Sequence, residues 1–203
     1  MSGPAADIVH SGLAAPSPWV CRWAGLIRPG GRVLDLACGS GRHVRWLAAQ
    51  GFAVTGVDRD AAALEALRAL AQVRVADLEA ASWPLPGQRF DAVVVTNYLW
   101  RPLWPELLAA LGEGGVLIYE TFADGNQNVG KPSRADFLLR HGELLDVARG
   151  LRIVAYEDGY LQTPPRYVQR IAAVADGSSD RRYPLDLGAG PGRVKSTDSK
   201  ESA

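Results

Sequence analysis

Gly31-Arg32-Val33-Leu34-Asp35-Leu36-Ala37-Cys38-Gly39-Ser40-Gly41-Arg42-His43-Val44 is the stretch that decides the fold. Its apolar run Val33 to Leu36 predicts a buried strand, a glycine-rich turn follows at once, and Val44, Leu47 and Ala48 then recur at helical spacing. Strand, glycine turn and helix make the first half of a nucleotide-binding βαβ unit. Gly39 and Gly41 carry no side chain, so a ligand can approach the backbone there, and a helix starting near Arg42 points its free N–H groups at the same spot. Gly51 ends that helix. Phe52 to Val57 reads as a second strand with Asp58 at its carboxyl end. An acidic residue about 20 residues past the glycines suits a carboxylate that accepts hydrogen bonds from both hydroxyls of a ribose. The site is built for an adenosine-like ligand.

Working outward, Val73 to Ala76 reads as a third short strand with Asp77 at its end, and the valine-rich run Phe90 to Thr96 reads as a central parallel strand. Leu34 to Gly41 resembles the first motif of the class I S-adenosylmethionine-dependent methyltransferases. Val54-Thr55-Gly56-Val57-Asp58 is similar to their second, Val75-Ala76-Asp77-Leu78 to their third and Phe90 to Val95 to their fourth. The motifs stand in the family's order and spacing, and the resemblance runs over roughly residues 30 to 175. Many members carry glycine where this chain has Ala37.

The resemblance implies a Rossmann-like, doubly wound α/β fold, with a mostly parallel seven-stranded sheet closed by a C-terminal antiparallel hairpin. It implies S-adenosylmethionine as cofactor. The residues it assigns to that cofactor are Asp35, Ala37, Cys38, Gly39, Ser40 and Gly41, then Asp58 and Arg59, Asp77 and Leu78, and Asn97 and Tyr98. Asp77 would accept from the adenine amino group and Leu78 would offer its backbone N–H. The plainer reading of Asp77 is a turn residue capping a loop. The overall look is that of small single-domain bacterial-type methyltransferases, including the tellurite-resistance and quinone-pathway groups. Such a likeness does not transmit substrate.

Composition bounds the rest. The 203 residues suit one domain with short extensions, and 47% hydrophobic content supplies a full core. Twenty-two basic residues balance 22 acidic ones, without the basic excess that marks a nucleic-acid binder. Two cysteines are too few for a disulfide framework. There is no apolar run of about 18 residues to span a membrane and no secretory signal, so the expectation is a cytoplasmic protein. No cluster at metal-ligand spacing surrounds His43, and Cys38 fits the glycine turn as a small packing residue rather than a nucleophile. The spacing predicts a lead-in over residues 1–15, a methyltransferase domain over 16–176 and a mobile polar tail over 177–203. Leu185 to Arg193 copies the first motif letter for letter, but no apolar helix follows it, so it is rejected as a site.

Several segments carry two readings. After Pro16-Ser17-Pro18, residues Val20, Trp23, Ala24 and Ile27 share one helical face. That helix either packs on the sheet or forms a lid, with Trp19 over the cofactor and Arg22 on its carboxylate. The run Phe122 to Pro132 is a polar loop of a length that often carries function, and it is expected to border an acceptor pocket near Trp100, Phe122 and Tyr156. Ser133 to Asp136 resembles a capping box. Leu151 to Tyr156 and Val168 to Ala175 read as the closing hairpin. Tyr98 and His141 are the candidate catalytic bases, with His141 alternatively a surface histidine at a helix end.

Asn97-Tyr98-Leu99 is not the Asn/Asp-Pro-Pro-Tyr/Phe motif of methylases acting on base amino groups. Absence of a separate recognition domain favours a small-molecule acceptor; oligomeric state is unreadable. An NAD-dependent oxidoreductase would want glycine or alanine where Val44 stands. A non-catalytic S-adenosylmethionine-binding module and an RNA methyltransferase complete the alternatives.

Overall fold

The computed structural model describes residues 14–80, 82–176 and 182–185. The strands are β1 (Arg32–Leu36), β2 (Ala53–Asp58), β3 (Gln72–Val75), β4 (Phe90–Thr96), β5 (Leu111–Phe122), β6 (Arg152–Gln162) and β7 (Pro165–Val174). They form one sheet in the order β3-β2-β1-β4-β5-β7-β6. The pairs from β3 across to β5 are parallel, and β7 runs antiparallel to both β5 and β6. The strand order reverses between β1 and β4, and in open α/β sheets ligands bind outside the carboxyl ends of the strands at such a switch point.

The helices are α1 (Pro18–Trp23), α2 (Arg42–Ala49), α3 (Ala61–Glu65), α4 (Trp104–Ala109) and α5 (Glu143–Val147). Alternation along β4 sorts the core into two layers. Ala92 and Val94 join Trp19, Val20, Trp23, Leu47, Leu64 and Leu67 from α1, α2 and the α3 region. Val93 and Val95 join Leu107, Leu144 and Ala148 from α4, α5 and the turn after it. Both faces of the central strands are thereby dry, which is why β4 reads as a continuous apolar run.

The first helix packs on the sheet. Val20 and Trp23 are fully buried, and each such side chain contributes about 1.5–3 kcal/mol. The Ser17 hydroxyl caps the helix by accepting from the Trp19 amide at 3.1 Å. The same hydroxyl donates to Glu120 Oε1 at 3.0 Å.

Several boundaries differ from the sequence reading. The glycines at 112, 114 and 115 do not end α4 but lie inside β5, where the register with β4 shifts between Phe90 and Ala92. The hairpin strands run longer than the apolar runs suggested, because β6 is half-exposed and alternates weakly. The 3-10 turn Ala135–Phe137 has no side-chain cap; Asp136 is instead held by Arg134 at 2.9 Å. Tyr183 lies back on the domain, donating to Asp176 Oδ2 and packing against the α1–α3 layer. The lead-in up to residue 13, most of the tail and the second glycine-rich motif lie outside the described residues.

Candidate active site

A cleft of about 180 Å³ opens at the carboxyl ends of β1 to β4, lined by Ala37, Asp58, Arg59, Ala76, Asp77, Leu78, Glu79 and Tyr98. Two backbone amides fix Asp58. Its Oδ2 accepts from Gly39 at 2.7 Å and its Oδ1 from Asp60 at 3.0 Å. The carboxylate is therefore tied to the glycine turn and still lines the cleft, with lone pairs left for further donors. Asp77 Oδ1 accepts from the Glu79 amide at 3.0 Å, so Asp77 is both a turn residue and part of the cleft wall. Leu78, beside it, is buried.

The two turn glycines differ in what they do. A Cβ on Gly39 would meet nothing within 4 Å, so that backbone faces open space where a ligand can approach. A Cβ on Gly41 would stand 2.4 Å from Leu67, and its φ is +78°. Gly41 is thus set by packing on the α3 side and by its left-handed backbone, not by ligand access. Ala37 also holds a positive φ, +54°, which explains why glycine suits that position. Cys38 is buried with its thiol pKa raised by burial and by the neighbouring Asp35 and Asp58 carboxylates, which leaves it unreactive. Ser40 is exposed beside it.

Asp35 is 1% exposed, and neither of its oxygens has a hydrogen-bond partner of good geometry. Burial raises its pKa to about 7, with Asp58 adding to the shift and Arg42 and the Val44 amide opposing it. A buried unpaired carboxylate beside a bare glycine turn is what a cationic ligand group would satisfy. In the cleft itself, the Asp58 carboxylate beside the open face of Gly39 fits the ribose of an adenosine-bearing cofactor.

A second cavity, about 220 Å³, adjoins the first. It is lined by Glu79, Asn97, Tyr98, Leu99, Thr121, Phe122, Pro132 and Phe137. Glu79 and Tyr98 belong to both. Asn97 faces this second space rather than the cleft. It turns the chain after β4 with φ +54°, and its amide donates to the Glu120 carbonyl at 2.9 Å. Tyr119 Oη donates to the Tyr98 carbonyl at 2.8 Å, which holds the next residue. The Tyr98 hydroxyl is buried without a partner. Its pKa is raised, first by burial and then by Glu79 and Asp77, so it stays protonated at neutral pH. The loop after β5 reaches this cavity through Phe122 and Pro132, whereas Trp100 and Tyr156 are not in its lining.

Three sequence candidates lie elsewhere. Trp19 is 2% exposed, its Nε1 donates to the Ile171 carbonyl of β7 at 3.2 Å, and Arg170 covers its ring. Arg22 donates to the Leu185 carbonyl and sits over the Trp23 ring. Neither lines the cleft, so the packing reading of the first helix replaces the lid. The corrected role of His141 is that of a surface residue. Its side chain is 93% exposed and pairs with Asp158 at 2.6 Å at the start, not the end, of α5.

The sequence reading missed Glu79, which stands just beyond the third motif, and Phe137, hidden in a segment with no periodicity. It also missed the buried group around Glu120. There Ser17, Arg166 and Arg170 converge on one carboxylate, and His43 accepts from the Ser17 amide at 3.0 Å.

Residues 33–115 match the family described as a methyltransferase domain. No curated protein sequence matches the chain. Among solved structures, TehB from Haemophilus influenzae superposes with a TM-score of 0.66 at 21% identity, over 81% of this chain and 64% of that one. The chain thus spans under two thirds of that relative's length. A TehB-like S-adenosylmethionine-dependent methyltransferase from Corynebacterium glutamicum gives 0.56 at 22% identity, over 77% and 86%. A structure describing conversion of a disulfide bond into a thioacetal group during echinomycin biosynthesis gives 0.58 at 25%, over 81% and 84%. The fold is that of the class I S-adenosylmethionine-dependent methyltransferases, and the methyltransferase-domain match covers the part of it that carries the glycine turn and the central strands. No helix among the described residues is long and apolar enough to cross a membrane.

Proposed function

We propose that the protein methylates a small molecule seated in the second cavity. The carrying observation is that the two cavities meet at Glu79 and Tyr98, so a cofactor in one and an acceptor in the other would share a wall. When bound, S-adenosylmethionine would supply an electrophilic sulfonium methyl group, which passes to an acceptor lone pair as its bond to sulfur breaks and the sulfur leaves as a neutral thioether. The protein's part is alignment and exclusion of water. In this reading Asp58 holds the ribose hydroxyls, and Asp77 and the Leu78 amide face the adenine. Tyr98 donates a hydrogen bond at the junction. A proton released by the acceptor has the Glu79 carboxylate beside it. No Lys or Arg lines the second cavity, which supports a small acceptor over a nucleic acid.

Calorimetric titration with S-adenosylmethionine, S-adenosylhomocysteine and NAD tests the cofactor assignment. The first two are expected to bind with micromolar constants and NAD not at all. Asp58→Ala is expected to weaken S-adenosylhomocysteine binding by about 2 kcal/mol or more, since hydrogen bonds to a charged group are lost. Binding of NAD alone, or unchanged affinity in the variant, overturns the reading.

A further inference from the structure

We infer that the acceptor is a flat aromatic molecule whose polar end is neutral or cationic, and that the second cavity rejects anions. This rests on the methyl-transfer reading above and names the acceptor class for that same site. Tyr98, Phe122 and Phe137, with Pro132 and Leu99, are five of the eight residues in the lining. Faces of that kind favour an aromatic guest. A space of about 220 Å³ is below the usual range for drug-sized ligands and suits one or two fused rings.

The charge of the lining is one-sided. Glu79 is its only ionisable acid or base apart from the Tyr98 phenol. The adjoining cleft adds Asp58 and Asp77 against a single Arg59. The nearby cation Arg134, 5.3 Å from the Phe137 ring centroid, is paired with Asp136. Lys131, next to Pro132 in the chain, is exposed and outside the lining. Asn97, Thr121 and the protonated Tyr98 hydroxyl are neutral. An anionic acceptor would therefore enter a site with no cation among its described lining residues and with the Glu79 carboxylate where the cavity meets the cleft, which costs both desolvation and repulsion. An ammonium or ring N–H at that end meets Glu79 directly, with cation–π support from the rings.

Indole, tryptamine and indole-3-acetate share a ring system and differ in charge, which makes them matched probes. Each is titrated into full-length protein saturated with S-adenosylhomocysteine, by calorimetry and ligand-detected NMR. The expected order is tryptamine tightest, indole next and indole-3-acetate weaker than tryptamine by about tenfold or more, a difference of about 1.4 kcal/mol. Glu79→Gln, an exposed position, should erase tryptamine's advantage over indole. Phe137→Ala should weaken tryptamine and indole alike. Indole-3-acetate binding as tightly as tryptamine overturns the charge assignment. Failure of all three probes on protein that binds S-adenosylhomocysteine overturns the aromatic class. Failure of S-adenosylhomocysteine itself overturns the methyl-transfer reading on which the inference stands.

Discussion

Asp35 and His43 flank the glycine turn, and burial shifts them in opposite senses. Burial, aided by Asp58, raises the Asp35 carboxyl from 3.8 to about 7. Burial, aided by the Arg42 charge, lowers His43 from 6.5 to about 3. The native state thus holds more protons than the unfolded one at Asp35, so stability falls as pH rises from about 3.8 to 7. It holds fewer at His43, so stability falls as pH drops from 6.5 toward 3. Across the shared window the two slopes, each about 1.4 kcal/mol per pH unit, oppose one another. Asp35→Asn should unmask the histidine, losing about 2 kcal/mol relative to its own neutral-pH stability by pH 5. His43→Gln should tilt the other way, gaining stability relative to wild type as the solution is acidified. Denaturant titrations of the three proteins at pH 5 and 7.5 check both. Parallel pH profiles in all three would show that neither group titrates abnormally. The Asp35 position was legible in sequence because motif spacing fixes it. The Ser17 and Thr96 partners of His43 were not, since they lie 26 and 53 residues away and nothing local announces them.

Among the elements, the short ones depend on tertiary ties rather than on propensity. The 3-10 turn Arg101–Leu103 is clamped to α5 by a two-pronged pair. Arg101 Nε and Nη2 donate to the two oxygens of Glu143 at 2.7 and 2.9 Å. Its remaining donors reach the Asp136 and Leu138 carbonyls, so one guanidinium holds the segment that carries Phe137 into the second cavity. Glu143 is 3% exposed. Burial alone would raise its pKa, but Arg101 and the Arg140 amide outweigh it and hold the carboxyl below its usual value. Arg101→Met should cost about 3 kcal/mol, because removing one partner leaves a buried charge poorly paired, while Arg149→Met, an exposed pair with Asp146, should cost under about 1 kcal/mol. Chemical denaturation measures both, and equal losses would refute the distinction. Residues 133 to 139 resisted reading for the same reason: a capping-box pattern was present, but long-range bonds to Arg101 and the bridge of Leu139 to Ala123 overrode it. The parallel strands β1, β2 and β4 were readable because each is buried on both faces over most of its length and appears as a largely apolar run.

At the scale of the whole molecule, the cleft proposed for the cofactor was largely visible in sequence, whereas of the cavity proposed for the acceptor only Asn97, Tyr98 and Phe122 were. The first is assembled from consecutive strand ends, so spacing along the chain reports it. The second gathers Glu79, Tyr98 and the pair Phe122 and Phe137 from the three connections that follow β3, β4 and β5, and only the sheet order brings them together. The domain boundary divides in the same way. A composition change after Asp176 marks the end of the last strand, yet it does not reveal that Tyr183 returns to the fold. There its ring packs against the α1–α3 layer and lies 5.7 Å from the Arg152 guanidinium, while Arg22 reaches the Leu185 carbonyl. None of these contacts touches a residue lining the cleft. A chain ending at Asp176 should therefore melt a few degrees lower, reflecting about 1–2 kcal/mol of lost burial, and bind S-adenosylhomocysteine as tightly as the full chain. A chain ending at Leu185 should regain the melting temperature. Thermal melts and calorimetry on the two truncations separate the possibilities. An unchanged melting temperature in the shorter one would mean that the Tyr183 contacts contribute nothing to stability, whereas loss of cofactor binding would bring the C-terminal segment to the active site.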